Sequence, residues 1–351
     1  MSQNNPAKGK LWKWFYDKWG KTLSEPVPGY TILLPVPGDL PVFLKIALEV
    51  CATQDSEHLV ETMIIPDRLT SGLPELIETW KKDYLSSPVR LVNLKSLEQI
   101  ITRYQNNPGT NHWLQLITGV EAARTTHVLL HDADLFIPEP NFLKLHYQTC
   151  VEKNYSCLGL SPVWDSWYQE QGINHLTATW EILFDTAWLR SFQPWQHRGH
   201  DDLLDGKWHT FDTTLWPQCQ TLPERVGRHQ QEWGFIHFNY VISTYRWFQK
   251  SKGPFEDQYF RLLLVRLLID AYDRSGWVYE VPTLAGLVEG LNDSSNRVTY
   301  IQEQTRQKYP EFRLKLQRLI DSGLLDDEKV TILCDGVQPF DRVFGKELQV
   351  I

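Results

Sequence analysis

Short apolar segments alternate strictly with helical patterns through the first 140 residues. The apolar segments lie at 30–36, 60–67, 88–94 and 128–130, and helical patterns lie at 44–48, 74–84 and 111–124. A short apolar run bounded by breaking residues predicts a buried strand. Strict alternation of strands and helices predicts an α/β fold with a parallel sheet and helices on both faces. In such a sheet, ligands bind beyond the carboxyl ends of the strands.

The fourth predicted strand, Val128 to Leu130, is followed by two aspartates, Asp132 and Asp134. Aspartates are rarely buried unless a partner pairs with them. Carboxylate oxygens suit Mg²⁺ or Mn²⁺, particularly when a substrate diphosphate supplies the other ligands. A solvated polar turn is the alternative interpretation. Pro35 and Asp67, at the ends of two further predicted strands, favour the metal-diphosphate site.

Composition excludes several classes of protein. A length of 351 residues and a hydrophobic fraction of 42% predict one large domain or two intimate ones with a substantial core. A net charge of -8 argues against a general nucleic-acid binder. The five cysteines form no Cys-x-x-Cys pair, which predicts reduced thiols in a cytoplasmic protein. We find no apolar run long enough to span a bilayer and no secretory signal.

The N-terminal region, residues 1–29, is predicted to be a disordered tail over 1–10 followed by an aromatic and basic helix over 11–21. On a helix, Leu11, Phe15 and Trp19 share one face. Trp and Lys both favour a membrane interface, so peripheral contact with the inner face of the membrane is one interpretation. Packing of the segment on its own domain is the other.

The second half of the chain has a less regular pattern. A helix is expected from 141 to 152, strands at 156–160 and 177–184, a short helix at 185–192, irregular chain at 197–204, a long amphipathic helix at 258–272 and peripheral helices over 297–345. Six tryptophans between 164 and 247 either stack on the faces of an acceptor sugar or belong to the core: Trp164, Trp167, Trp180, Trp195, Trp208 and Trp233. We expect one or two of them at the site.

The segment Gly119 to Asp134 resembles the block of helix, small residues, strand and Asp-x-Asp that is found in nucleotide-sugar-dependent glycosyltransferases of family 2. The resemblance covers roughly residues 30–250. It implies a GT-A-type, Rossmann-like, mainly parallel sheet, with a nucleotide-sugar half at 30–140 and an acceptor half at 141–250. The rest, 251–351, is then a helical C-terminal extension.

The resemblance also implies an activity. Such an enzyme is a hexosyltransferase (EC 2.4) that uses Mn²⁺ or Mg²⁺. It moves a sugar from a nucleotide-diphosphate donor to a hydroxyl of a glycan, lipid or other acceptor.

Site roles carry over position by position. The resemblance implies nucleotide-sugar binding by Pro35, Val36, Asp67, Asp132 and Arg246, and metal binding by Asp134, Asp132 and His237. A structural histidine in an aromatic core is the alternative for His237.

The catalytic base implied by the resemblance is Asp202, with Asp201 in reserve, and a base of this kind implies inversion by single displacement. Asp201 stands where the family usually has Glu, which is a departure from its pattern. A solvated acidic loop is the alternative for this pair. The acids Glu256 and Asp257 form a second candidate pair, but they precede a helix and are expected to cap it.

Two other functions compete with glycosyl transfer. A catalytically degenerate scaffold that binds a sugar or nucleotide is the first, although the intact aspartates argue against it. A sugar-phosphate nucleotidyltransferase is the second. Such an enzyme needs a glycine-rich basic loop after the first strand, whereas residues 35–39 contain one glycine and the acid Asp39.

Overall fold

A computed structural model describes residues 12–23, 25–83, 87–300 and 303–345. The strands are β1 (Val27–Val36), β2 (Leu59–Pro66), β3 (Val89–Leu91), β4 (Thr125–Leu130), β5 (Leu135–Phe136), β6 (Cys157–Gly159), β7 (Ile182–Asp185), β8 (His200–Leu204), β9 (Lys207–Phe211), β10 (Val226–Arg228), β11 (Ile236–His237), β12 (Phe255–Glu256) and β13 (Val298–Thr299). Some predicted features lie outside the described residues. They are the tail at 1–10, Leu11 of the aromatic segment, and Tyr84, which is the predicted end of a helix.

Thirteen helices lie in the described residues. They are α1 (Val42–Ala52), α2 (Leu73–Trp80), α3 (Ser96–Gln105), α4 (Pro108–Ala122), α5 (Phe142–Glu152), α6 (Ser166–Glu170), α7 (Thr186–Ser191), α8 (Leu215–Cys219), α9 (Val241–Lys250), α10 (Arg261–Tyr272), α11 (Leu284–Glu289), α12 (Glu303–Ile320) and α13 (Asp327–Phe344). Short 3₁₀ turns lie at Lys81–Asp83, Pro194–His197 and Pro223–Arg225.

The central sheet has seven strands in the order β10-β6-β7-β4-β1-β2-β3. β1 pairs in parallel with β2 and β4, β2 with β3, and β6 with β10. β7 runs antiparallel to its neighbours β4 and β6. This mainly parallel, Rossmann-like sheet of GT-A type, together with the C-terminal helices α12 and α13, confirms the predicted fold class.

Helices pack on both faces of the sheet. Gly119 of α4 lies so close to the sheet that a Cβ there would be 2.9 Å from the Leu33 side chain of β1. On the opposite face, Tyr147 of α5 stacks on Tyr30 with a ring separation of 5.3 Å. Leu33 and Tyr30 have opposite parity along β1, and alternate residues of a strand point to opposite faces. Both faces are therefore covered, as the apolar strands require.

The described part of the N-terminal aromatic segment packs on its own surroundings. Trp12 meets Trp113 edge to face at 5.2 Å, and the Tyr16 hydroxyl donates to Glu98 Oε1 at 2.9 Å. Trp14 and Phe15 remain exposed. Membrane contact through residues 11–21 therefore stays a prediction. Among the described residues, no helix is long and apolar enough to cross a membrane.

One prediction about local structure is wrong, and one helix was missed. Residues 200–204 are not irregular, because β8 pairs with β9 in an antiparallel hairpin. Its two-residue turn, Asp205-Gly206, has positive φ at both positions, a backbone that suits tight hairpins. Helix α3 was not predicted. It begins where the Lys95 backbone N–H donates to Glu98 at 2.8 Å, so part of its first turn is satisfied by a side chain.

The chain forms two compact units. Unit 1 comprises the chain up to Gly38, Ala52–Ala133 and Pro140–Glu232, and it contains the central sheet. Unit 2 comprises Asp39–Cys51, Asp134–Glu139 and the chain from Trp233 onward. In unit 2, Phe260 stacks on Tyr300 at 5.5 Å and meets Phe344 at 5.4 Å, so α10 and α13 share an aromatic core. The domain boundaries inferred from the sequence remain a prediction.

Candidate functional site

Asp134 and His237 are brought together by strand pairing. Asp134 directly precedes β5, and β5 pairs antiparallel with β11, so that Leu135 lies opposite His237. The Asp134 Oδ1 atom is 3.3 Å from His237 Nε2, and both side chains are largely buried. Burial raises the pKa of Asp134, but the charge of His237 and backbone N–H groups outweigh it, so the pKa is lowered overall. Asp134 is therefore ionised at neutral pH, as a metal ligand must be.

Asp132 completes a group of three possible metal ligands. One ligand atom each from Asp132, Asp134 and His237 lies within 4.8 Å of the other two. Asp132 stands only two residues before Asp134, so the chain itself keeps the two carboxylates close. Two carboxylates and one imidazole are donors that suit Mn²⁺ or Mg²⁺. Of the described residues, these three fit the metal that the resemblance implies.

The residues beside this group were not identified from the sequence. His131 Nδ1 lies 2.6 Å from Glu181 Oε2, and both side chains are fully buried. This contact holds the chain just before Asp132. On the exposed side, His112 Nε2 lies 3.7 Å from Asp132 Oδ1. A glutamate inside the apolar pattern at 177–184 was the sequence signal for Glu181.

Asp67 lies in a buried network at the ends of β1 and β2. Its Oδ1 accepts a hydrogen bond from the Gly38 N–H at 3.0 Å, and its Oδ2 accepts one from Asn111 Nδ2 at 2.9 Å. The Val36 carbonyl accepts from the Asp67 N–H at 3.0 Å. Pro35 is also buried, in register with Ile65. The network connects β1, β2 and α4, while the nucleoside-binding role of Pro35, Val36 and Asp67 stays a prediction.

Arg246 forms a buried ion pair within unit 2. Its Nη1 atom is 2.6 Å from Asp39 Oδ2 and donates to Gln249 Oε1 at 2.9 Å. The Arg246 side chain is almost fully buried. Contact of Arg246 with a diphosphate stays a prediction.

Asp201 and Asp202 are neighbours on β8, so their side chains point to opposite faces of the hairpin. Asp201 Oδ1 accepts a hydrogen bond from the Thr210 hydroxyl at 2.7 Å. Asp202 Oδ2 lies 3.5 Å from His200 Nε2. Only one of the two carboxylates can therefore face a given acceptor hydroxyl. The catalytic roles stay predictions.

Three of the six tryptophans, Trp164, Trp167 and Trp208, line one cleft in unit 1. Trp233 is buried, and Trp195 lies under the Lys13 ammonium at 4.2 Å. Asp257 confirms the capping interpretation, because it accepts from the Arg261 N–H at 2.8 Å at the start of α10. Glu256 does not cap the helix, since its carboxylate accepts from the Thr305 hydroxyl at 2.9 Å.

Comparisons with known proteins give distant likenesses. No protein-family model and no curated protein matches the chain. Among solved structures, the chain is similar to S. aureus TarS 1–349, with 12% identity, 92% of each chain covered and a TM-score of 0.38. It is also similar to the mannosyltransferase PcManGT from Pyrobaculum calidifontis in complex with GDP-Man and Mn²⁺. There the identity is 13%, 97% of this chain and 92% of that chain are covered, and the TM-score is 0.36.

A third similar structure is the glucosyl-3-phosphoglycerate synthase from Mycobacterium tuberculosis in complex with Mn²⁺, UDP and glucosyl-3-phosphoglycerate. It shows 11% identity and a TM-score of 0.32, with 54% of this chain and 63% of that chain covered. Likenesses this distant assign neither a donor nor an acceptor to the present chain.

Proposed function

We propose that the protein is a metal-dependent glycosyltransferase that moves a hexose from a nucleotide-diphosphate sugar to an acceptor hydroxyl. The observation that carries the proposal is the convergence of Asp132, Asp134 and His237 where the chain leaves β4. Ligands of mainly parallel sheets bind beyond the carboxyl ends of the strands, and Asp132 follows the carboxyl end of β4.

Asp134 and His237 would hold Mn²⁺ or Mg²⁺, with Asp132 as a further ligand. When bound, the ion would stabilise the negative charge that builds on the diphosphate leaving group. The protein's own contribution is to hold the ligands in place. The pairing of β5 with β11 fixes His237, and the contact of His131 with Glu181 fixes the chain before Asp132.

Asp202 is the proposed base that accepts the proton of the acceptor hydroxyl. A single displacement with such a base inverts the configuration at the anomeric carbon. The proposal for Asp202 is supported by its place in the resemblance.

The test is a transfer assay with UDP-glucose, UDP-galactose, UDP-N-acetylglucosamine and GDP-mannose in the presence of Mn²⁺. Release of the nucleotide diphosphate and the anomeric configuration of the product are measured for wild type and for Asp202→Asn. We expect release from at least one donor, an inverted product, and a loss of about 10²-fold or more for the variant.

Two results would count against this account. A product with the donor's anomeric configuration would exclude Asp202 as the base of a single displacement. Metal-dependent donor binding without any release of nucleotide diphosphate, in the presence of acceptor, would favour a scaffold that binds nucleotide sugars.

A further inference from the structure

Unit 1 contains a cleft of about 780 Å³ that is built from α6, the hairpin of β8 and β9, and the chain before α8. This volume lies within the range of about 300–1,000 Å³ that small-ligand sites occupy. Its rim carries two indoles that solvent reaches, since Trp164 is 76% and Trp208 is 70% exposed. Large apolar side chains that line one open cleft mark an interaction site more often than isolated surface residues do.

The floor of the cleft is already packed. Trp167 stacks on His209 with ring centroids 3.8 Å apart and planes inclined by 8°. Tyr168 and Phe211 belong to a small buried cluster beneath them. The cleft is therefore preformed, and the rim indoles can stack on a ligand without a rearrangement of the floor.

Polar groups of the cleft are acidic or neutral. Asp165, Asp201 and Asp212 line it, and no lysine or arginine is among its lining residues in the described chain. Burial lowers the pKa of His209, so this imidazole adds no positive charge at neutral pH. The Tyr168 hydroxyl is buried in the cleft wall and makes no hydrogen bond with any described residue. The cleft thus offers aromatic faces and negative charge.

We propose that this cleft binds the acceptor, and that the acceptor is a neutral or amino-sugar glycan. The apolar faces of sugar rings suit the exposed indoles, sugar hydroxyls suit the carboxylates, and an anionic chain would be repelled by three aspartates. The inference rests on the proposed function: the cleft lies on the Asp201 face of the hairpin, so it would hold a part of the acceptor chain beyond the residue whose hydroxyl reaches Asp202 on the opposite face. A carbohydrate is favoured over a peptide because the cleft combines several carboxylates with stacking faces.

The test is calorimetric titration without donor or metal. The probes are hexasaccharides of glucose, mannose, N-acetylglucosamine and glucosamine, the anionic hexamer of galacturonic acid, and decaproline as a peptide probe. The variants are Trp164→Ala and Trp208→Ala. Trp14→Ala is the matched control, because Trp14 is 73% exposed in the same unit but outside the cleft. Since all three side chains are exposed, the variants are expected to fold.

We expect at least one neutral or amino-sugar hexamer to bind, the galacturonate hexamer not to bind, and each cleft variant to weaken binding at least tenfold while Trp14→Ala does not. Binding by none of the sugar probes would overturn the proposal, as would equal binding by galacturonate or unchanged binding by the cleft variants. Binding of decaproline alone would assign the cleft to a polypeptide. Glycan binding measured this way does not depend on Asp134, so its failure is distinguishable from failure of the proposed function.

Discussion

Asp134 Oδ1 lies 3.3 Å from His237 Nε2, although the two residues are far apart in the sequence. The contact exists because two-residue strands, β5 and β11, pair with Leu135 opposite His237. A carboxylate that is both buried and ionised needs such a partner, since burial alone would neutralise it. The pair therefore explains how a charged Asp134 is tolerated in a largely buried position.

Asp67 is expected to be important for stability, whatever its role in binding. The substitution Asp67→Ala leaves the Gly38 N–H and the Asn111 amide without their acceptor in a buried network. We expect the free energy of unfolding to fall by about 2–4 kcal/mol. Urea denaturation measures the change, and Asp321→Ala, at an exposed position, serves as the control with an expected change below about 0.5 kcal/mol. Unchanged stability of Asp67→Ala would contradict the structural role.

His197 is expected to make the protein sensitive to acid. Burial lowers its pKa from an ordinary value of 6.5 to about 4, and its Nε2 bonds the Leu189 carbonyl at 2.8 Å. The stabilisation is complete above pH 6.5 and is lost as pH falls toward 4, because the unfolded chain takes up the proton first. The loss is on the order of 3 kcal/mol. Thermal unfolding of wild type and His197→Gln from pH 7.5 to pH 4 should show it, and an equal acid loss in both proteins would contradict the assignment.

Asp257 is expected to have the opposite dependence on pH from His197, because its contribution to the free energy of unfolding falls as pH rises. Burial raises its pKa from 3.8 to about 6, against the hydrogen bonds that it accepts at the start of α10. Its contribution is largest below pH 3.8 and is lost as pH rises through 6, because the native state prefers the protonated form. Relative to wild type, Asp257→Asn should gain about 3 kcal/mol between pH 3.5 and pH 7.5. If the difference in the free energy of unfolding between the two proteins did not change with pH, the raised pKa of Asp257 would be refuted.

Sequence patterns predicted the local parts of the fold and missed those that depend on distant pairing. β1, β2 and β4 are predicted because each is a short apolar run with a breaker or an acid at its end, and Asp132 and Asp134 follow directly. The hairpin of β8 and β9 was missed because its strands carry charged residues on both faces. Helix α3 was missed because its polar composition resembles a loop, and its buried residues, such as Thr102, are few.

The same holds for the candidate site: residues were identified from the sequence, but the contacts between distant residues were not. Resemblance indicated His237 as a metal ligand, but its contact with Asp134 depends on the register of β5 and β11, which no local pattern reveals. Glu181 was missed because its partner, His131, lies on a different strand segment. Asp67 was identified at a strand end, yet its hydrogen bonds to Gly38 and Asn111 depend on how the loop and α4 pack.

Calorimetric titration of UDP and GDP, with and without Mn²⁺, into wild type and Asp134→Ala tests the metal site. Asp321→Ala is the control for the loss of a negative charge at an exposed position. We predict that at least one nucleotide binds wild type and the control only when Mn²⁺ is present. In Asp134→Ala we expect this binding to weaken by at least 100-fold while the protein remains folded. Binding that is equally strong without Mn²⁺, or that survives in Asp134→Ala, would contradict a metal site at Asp132, Asp134 and His237.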